Sequence, residues 1–429
     1  MAAAGNQEPA PSHNLRISAE RLWDNLMETA KIGGTPKGGL CRLTLTEEDR
    51  EAREWLRKQT AALGCQMSVD DMGAMYARRR GQRNDVAPIA IGSHLDSQPT
   101  GGKFDGALGV LAALEVLHTL HAANYETFAP VELVNWTNEE GSRFAPALTA
   151  SGVFAGVFDR DWAHAREDRS GMRFGDALEA IGYRGMDRCG ARKFSAHFEL
   201  HIEQGPVLEH ETKDIGVVTG VQGTRWFECA LAGAEAHTGS TPMQGRKNAL
   251  IGAARVIEAV DAIARAHPPL AVATVGLLEV KPNSRNVIPG ETFFTVDMRH
   301  PRSDVLDAME QKLGATVADT ASSLGLTAVL RKIWDQPPVV FDADCISCVQ
   351  RAAASCGYST REMVSGAQHD SAYVARVAPT SMIFVPCRDG ISHNEAEFTS
   401  KEQCARGAQV LLHAVLEFDR LLAKRHARG

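Results

Sequence analysis

Apolar positions along the chain follow two periods that alternate. Asn14 to Ala30 and Glu47 to Leu63 space their apolar residues three and four apart, as amphipathic helices do. Thr46 is placed to cap the second, with Glu47 and Glu48 in its first turn. Short apolar runs at Met75–Arg79, Ile89–His94, Val131–Trp136 and Phe198–Ile202 read as buried strands. An Ala/Leu-rich segment from Ala107 to Leu120 reads as a helix between them. Strands alternating with helices predict an α/β fold, a mixed sheet with helices on both faces. Such sheets bind ligands beyond the C-terminal ends of their strands.

The texture changes near Ile215. Ile215–Val221, Thr224–Ala232, Ala271–Glu279 and Glu291–Arg299 are strand-like, with helices expected over Asn248 to Ala266 and Ser303–Ser323. That set predicts a small α+β domain with one antiparallel sheet and two helices. After Trp334 the α/β texture returns, with a helix at Cys345–Ala354, a strand at Ser381–Pro386 and a terminal helix at Lys401–Leu422. The expected organisation is a mobile tail (1–14), a catalytic domain in two pieces (15–214 and 332–429), and an inserted domain (215–331).

A length of 429 residues fits two cores better than one. The net charge of −7, with no long Lys/Arg run, leaves no electrostatic footprint for nucleic acid. Nine scattered cysteines suit reduced thiols, and the lone pair Cys345/Cys348 fits a helix better than a zinc or redox site. The first fourteen residues lack the charged and apolar regions of a signal peptide, and no run approaches the roughly 20 apolar residues that span a bilayer. The expectation is a cytoplasmic protein without membrane or nucleic-acid partners.

Chemistry concentrates at strand ends. The run ending in His94-Leu-Asp96 puts His94 and Asp96 on one side of a strand, and Asp105 follows in a Gly-rich loop before a helix. Asp96 is a plausible orienting group for a metal-bound His94. Glu139 and Glu140 follow Val131–Trp136, and adjacent carboxylates there diverge, so one suits an ion and its neighbour a proton. His201 sits near the end of an alternating strand, and His393 in the polar loop after Ser381–Pro386. Singly, a Glu-Glu turn or either histidine is unremarkable. Together His94, Asp105, Glu140, His201 and His393 form a mixed nitrogen/oxygen set for two borderline divalent ions, Asp105 bridging them.

The motifs GSHLDSQPTGGKFDGALGV, NEEGSRF, HIEQGPVLE, GAEAHTGSTPM, RNVIPG, DMRHP, SGAQHDSA and ISHNEAEF occur in that order. The chain thereby resembles the zinc aminoacylase and carboxypeptidase-type metallopeptidases, specifically their hydantoinase/carbamoylase branch. That branch holds N-carbamoyl-L-amino acid hydrolases, β-ureidopropionases and allantoate amidohydrolases. The resemblance implies that His94 and His201 serve one metal, Glu140 and His393 the other, with Asp105 bridging, Glu139 the general base and Asp96 supporting His94. It implies that His237 stabilises the oxyanion in a partner subunit of a homodimer formed through the inserted domain. Gln204, Asn286 and Arg299 would bind substrate, Arg299 gripping its carboxylate, with His369 a secondary candidate. It implies two divalent ions per chain, zinc first, with manganese or cobalt compatible. The implied reaction hydrolyses the carbamoyl C–N bond of an N-carbamoyl amino acid or related ureido acid; allantoate hydrolysis and N-acyl aminoacylase or dipeptidase activity are the alternatives. One departure stands out: Gln368 occupies a position where the family often has glycine.

Overall fold

The computed structural model describes residues 14–428. The expected N-terminal tail, Asn14 apart, lies outside the described residues. In chain order the strands are β1 (Gln66–Val69), β2 (Met75–Arg79), β3 (Ile89–His94), β4 (Val131–Trp136), β5 (Ala196–Ile202), β6 (Ile215–Val221), β7 (Gly223–Ala232), β8 (Ala236–His237), β9 (Val272–Lys281), β10 (Val287–Ile288), β11 (Glu291–His300), β12 (Thr327–Gln336), β13 (Val339–Val340), β14 (Thr360–Ser365) and β15 (Thr380–Val385). The chain divides into two compact units, Gly220–Val339 and the remainder on either side of it.

The larger unit is built on a nine-stranded mixed sheet in the order β1-β2-β4-β3-β5-β15-β6-β13, with β14 joined to β6. The four central strands, β4, β3, β5 and β15, run parallel. Every residue in them is buried, including the polar positions that alternate along β5 and Glu132 and Asn135 of β4. Helices cover both faces. On one face Phe198 of β5 meets Phe418 edge-on, and Leu200 and Val385 fill the space beside Gly407 of the helix Lys401–His426. On the other, Trp136 packs against Phe154 of the helix Thr149–Phe154. The helix Ala107–Ala122 is apolar around nearly its whole circumference and is accordingly almost wholly buried.

Polar caps set several boundaries. Ser18, Thr46 and Ser400 each accept a backbone N–H at a helix start, and Ser400 forms a reciprocal capping box with Gln403. The first helix therefore begins at Ala19 rather than at Asn14. The two paired cysteines Cys345 and Cys348 lie buried in the helix Ala343–Ser355, and all nine cysteines are free.

The smaller unit has a four-stranded antiparallel sheet, β12-β7-β11-β9. Phe227, Cys229 and Leu231 of β7 and Phe294, Val296 and Met298 of β11 form its core with Val256, Val260, Met309 and Leu313 from two helices. Those helices are Ala249–Arg265 and Ser303–Leu324. Two expected borders are corrected. β6 was expected to open the inserted domain, but its Gly216–Val218 pair antiparallel with Met382–Phe384 of β15 in the large sheet. At the other end β12 runs on past residue 331, pairing with β7 as far as Gln336 across a register shift between Lys332 and Trp334. A strand's composition does not reveal which sheet its ladder joins.

The terminal helix is tied to the sheet by Asp419, whose carboxylate accepts the Phe128 and Ala129 N–H groups at 2.8 Å each. Asp419→Ala leaves two buried donors unpaired and should cost about 2–4 kcal/mol. Asp419→Asn, keeping one acceptor oxygen, should cost less. Chemical-denaturation midpoints of the three proteins check this; equal midpoints would show the tie to be dispensable.

Candidate metal centre

All four parallel strands deliver polar groups from their C-terminal ends. β3 ends at His94, β5 carries His201 as its penultimate residue, β4 leads into the turn bearing Glu139 and Glu140, and β15 leads to the loop bearing His393. Ligand atoms of His94, Asp105 and His201 all lie within 4.8 Å of one another, and so do those of Asp105, Glu140 and His393. Asp105 belongs to both groups.

Ring orientation is fixed in each of the two buried histidines. His94 Nδ1 is 2.9 Å from the Asp96 carbonyl oxygen, and His201 Nδ1 is 2.9 Å from the Ile202 carbonyl oxygen. A carbonyl only accepts, so Nδ1 carries a proton in each, and burial keeps the His94 ring neutral with a lone pair on Nε2. His94 Nε2 is buried without a hydrogen-bond partner, facing Asp105 at 3.7 Å and Glu139 at 3.4 Å. His201 Nε2 lies 3.0 Å from Asp105 Oδ1. An orphaned buried nitrogen among carboxylate oxygens is what a cation site requires, and the residues fit a borderline divalent ion. Close packing enforces the geometry: a Cβ on Gly106, whose φ is +64°, would fall 2.3 Å from the His94 ring.

The two glutamates diverge. Glu139 faces His94, while Glu140 lies 3.4 Å from His393 Nε2 and accepts a 2.6 Å hydrogen bond from Gln98. The role expected of Asp96 is corrected in one respect. Its carbonyl, not its carboxylate, bonds His94, the nearest carboxylate oxygen being 3.8 Å away. The carboxylate instead accepts the N–H groups of Glu139 and Glu140, at 3.3 Å each, and so positions that turn.

Charge crowding dominates the electrostatics. Burial, then Asp370, Glu140, Asp105 and Asp96, push Glu139 well above the ordinary carboxylate range. Burial, then Asp105 and Asp96, do the same to Glu140. Burial lifts Asp96 to about 7, with Asp49 adding to it. Burial drives His94 down to about 4. His201 goes the other way, to about 9, because Asp105 outweighs the burial that would lower it. Asp105 falls below the usual range despite its burial, held there by His201, His94 and His393.

Three residues at this centre adopt left-handed backbone without being glycine: Asn138 (φ 59°), Gln204 (φ 56°) and His393 (φ 53°). Each such residue costs roughly 1–2 kcal/mol, and such strain collects at functional sites. Asn138 is held by its side-chain bonds to Phe144 and Thr149.

Of the expected substrate residues, Gln204 donates to Asp105 Oδ2 at 2.9 Å. His369 is buried with its ring 4.5 Å from that of His201 and its Nε2 3.1 Å from Ser365 Oγ. Glu199, His201 and His369 form a third close group. The Glu199 oxygens there are already engaged by Ser93 at 2.7 Å and Ser371 at 2.6 Å. The other three expected residues belong to the smaller unit. His237 on β8 is exposed and pairs with Val287 of β10, next to Asn286, whose carbonyl accepts from Thr238. Arg299, on β11, pairs with Asp297 at 2.9 Å. Gln98, Ser392 and Glu397 also reach the centre, through Glu140 and Asp105. The last two sit inside ISHNEAEF, so proximity to His393 was their only signal.

Parallel strand ends converging on paired histidines and carboxylates define a metal-dependent hydrolase. The chain belongs to peptidase family M20/M25/M40, whose profile matches residues 90–417, and within it to the hydantoinase/carbamoylase amidases. It is 50% identical over 408 residues to an N-carbamoyl-L-amino-acid amidohydrolase of Rhizobium meliloti, covering 95% of this chain and 98% of that one. An allantoate amidohydrolase of Bacillus subtilis is 35% identical, over 91% and 95% of the two chains. The crystal structure of a hydantoinase/carbamoylase family amidase from Burkholderia multivorans superposes with a TM-score of 0.92 at 53% identity, covering 95% of this chain and 98% of that one.

If the Asp96 carboxylate sets the Glu139–Glu140 turn, Asp96→Ala should weaken metal binding on the order of 10–100-fold. Chelator competition on the purified protein measures it. Parent-like affinity would mean the turn holds its place without Asp96.

Proposed function

We propose that the protein is an amidohydrolase of N-carbamoyl-L-amino acids or closely related ureido acids. The observation that carries the reading is the double ligand group sharing Asp105, with the unligated Glu139 beside it. The likeness to the Rhizobium meliloti enzyme, closer than that to the allantoate enzyme, supports the carbamoyl substrate. His94 and His201 would hold one divalent ion and Glu140 and His393 a second, zinc first among the choices, with Asp105 common to both. Bound there, the ions would supply Lewis acidity that acidifies water and polarises a carbonyl.

Glu139, buried and held at its backbone by Asp96, takes a proton from the attacking water and returns it to the leaving nitrogen. Water and the carbamoyl amino acid give the free amino acid, ammonia and carbon dioxide. Gln204 fixes the Asp105 carboxylate and would also bind substrate. Arg299 offers a forked pair of donors to the substrate carboxylate. His237 would stabilise the oxyanion from the neighbouring subunit of a homodimer formed through the inserted segment, and Asn286, just before β10, would bind substrate. The setting proposed is the cytoplasm, consistent with the free cysteines; among the described residues no helix is long and apolar enough to cross a membrane.

The test is an activity panel on metal-reconstituted protein: N-carbamoyl, N-acetyl and dipeptide forms of the same L-amino acids, together with allantoate. Highest kcat/KM for a carbamoyl substrate supports the proposal, and preference for any of the others replaces it. Glu139→Gln should reduce kcat by a factor on the order of 10² to 10⁴ while metal content stays at the parent level. Loss of metal from this variant, with retention in Glu140→Gln, would exchange the two roles. Replacing the substrate's carboxylate by an amide should cost the parent much and Arg299→Ala little. Equal discrimination by the two proteins would remove Arg299 as the anchor.

A further inference from the structure

We propose that Glu397 is the positioning residue of the centre, gripping the turn that presents the Asp105 carboxylate to both ligand groups. This rests on the reading of Asp105 as the shared metal ligand. The other ligands ride on strand ends or the loops that leave them, whereas Asp105 lies in a turn between Gly101 and the helix that starts at Ala107. A carboxylate that serves two groups needs its orientation fixed more closely than such a turn provides by itself.

Glu397 supplies that fixation from 292 residues away. Its Oε1 accepts the N–H groups of both Phe104 and Asp105, at 3.0 Å each. Its Oε2 lies 3.2 Å from Ser392 Oγ, and the Ser392 hydroxyl donates to Asp105 Oδ2 at 2.7 Å. The same side chain therefore holds Asp105 directly by its backbone, and its Oε2 stands beside the Ser392 hydroxyl that holds the Asp105 carboxylate. Gln204 completes the cage, its Nε2 2.9 Å from Asp105 Oδ2 and 3.0 Å from Ser392 Oγ. Ser392 and Glu397 flank His393, so the clamp also couples the loop of the last ligand to the turn of the shared one.

The space has been cleared for this contact. A Cβ on Gly102 would stand 2.1 Å from Glu397 Cδ and Oε1, closer than real atoms approach. Glu397 is only 4% exposed and its backbone N–H is tied to the Asn394 carbonyl at 3.0 Å, so it has no room to withdraw. One carboxyl oxygen accepting two backbone donors is an arrangement that an alkyl side chain cannot replace. Glu397 touches neither the reacting atoms nor the ligand atoms of the histidines, so its effect should appear in metal binding.

The experiment measures Zn²⁺ affinity of the full chain by competition with a chromophoric chelator, alongside the visible spectrum of the Co²⁺-loaded protein. Glu397→Ala and Gly102→Ala should each bind zinc on the order of 10–100-fold more weakly, with an altered cobalt spectrum. Glu397→Gln keeps an oxygen for the two N–H groups and an N–H for Ser392, so its affinity should stay within about threefold of the parent and its spectrum unchanged. Gly102→Ala should cost little further in the Glu397→Ala background, because the side chain it strikes is gone. If Glu397→Ala does not fold, Glu397→Asp is read instead, its shortened arm being unable to reach both N–H groups. Parent-like zinc affinity in Glu397→Ala or Glu397→Asp, where Asp105→Ala loses zinc, overturns the proposal. So does a Gly102→Ala penalty independent of Glu397. Parent-like zinc affinity in Asp105→Ala removes the reading of Asp105 itself, and the proposal with it.

Discussion

Asp96, Asp105, Glu139 and Glu140 are brought together out of water at the edge of one sheet, with Asp370 and Glu397 close behind. Two like charges about 4 Å apart repel by roughly 4 kcal/mol even at an effective dielectric of 20, and here the repulsions accumulate. In the protein alone this shows as carboxyl groups driven above their ordinary range, with the Asp105–His201 pair the exception. A fold tolerates such a cluster when positive charge completes it. The lone pair of His94 Nε2, buried and without a partner, marks where that charge belongs.

The rest of the larger unit reads as the apparatus that holds these groups in place. The four parallel strands supply the direction, and their full burial supplies rigidity. Two buried arginines pin the strand ends from beneath. Arg42 donates to the Leu95 carbonyl at 2.7 Å, between His94 and Asp96. Arg53 pairs with Asp49 at 2.9 Å and reaches Thr137, just before the Glu139 turn. Burial pushes Arg42 down to about 10, opposed by Asp49 and Asp96, so it remains a cation at neutral pH. These pins, the Asp96 carboxylate and the Glu397 clamp do one thing by different routes: they fix short loops that carry chemistry.

Local pattern made much of this legible. Met75–Arg79, Ile89–His94 and Val131–Trp136 were readable to the residue because each is a short, mainly apolar segment with a glycine or proline within two residues before it. The clustering of His94, Asp105, Glu140, His201 and His393 was readable because His94, Glu140 and His201 stand at strand ends and the motifs around them are specific. Three kinds of feature were not readable. Sheet membership depends on pairing between distant segments, so β6 was placed with the wrong neighbours. Atom-level roles depend on backbone direction, so Asp96 was expected to hold His94 by its carboxylate. Long-range polar contacts such as that of Glu397 with Asp105 leave no periodic trace in the chain, and only the structure brings the two loops together.

The central claim is that Asp105 is shared by two cations, one with His94 and His201, the other with Glu140 and His393. Anomalous-scattering maps from crystals of the zinc- or manganese-loaded protein test it most directly. Two peaks flanking the Asp105 carboxylate, about 3.5–4 Å apart as in two-metal hydrolases, are the expected result. A single peak, or a peak lodged among Glu199, His201 and His369, would contradict the account.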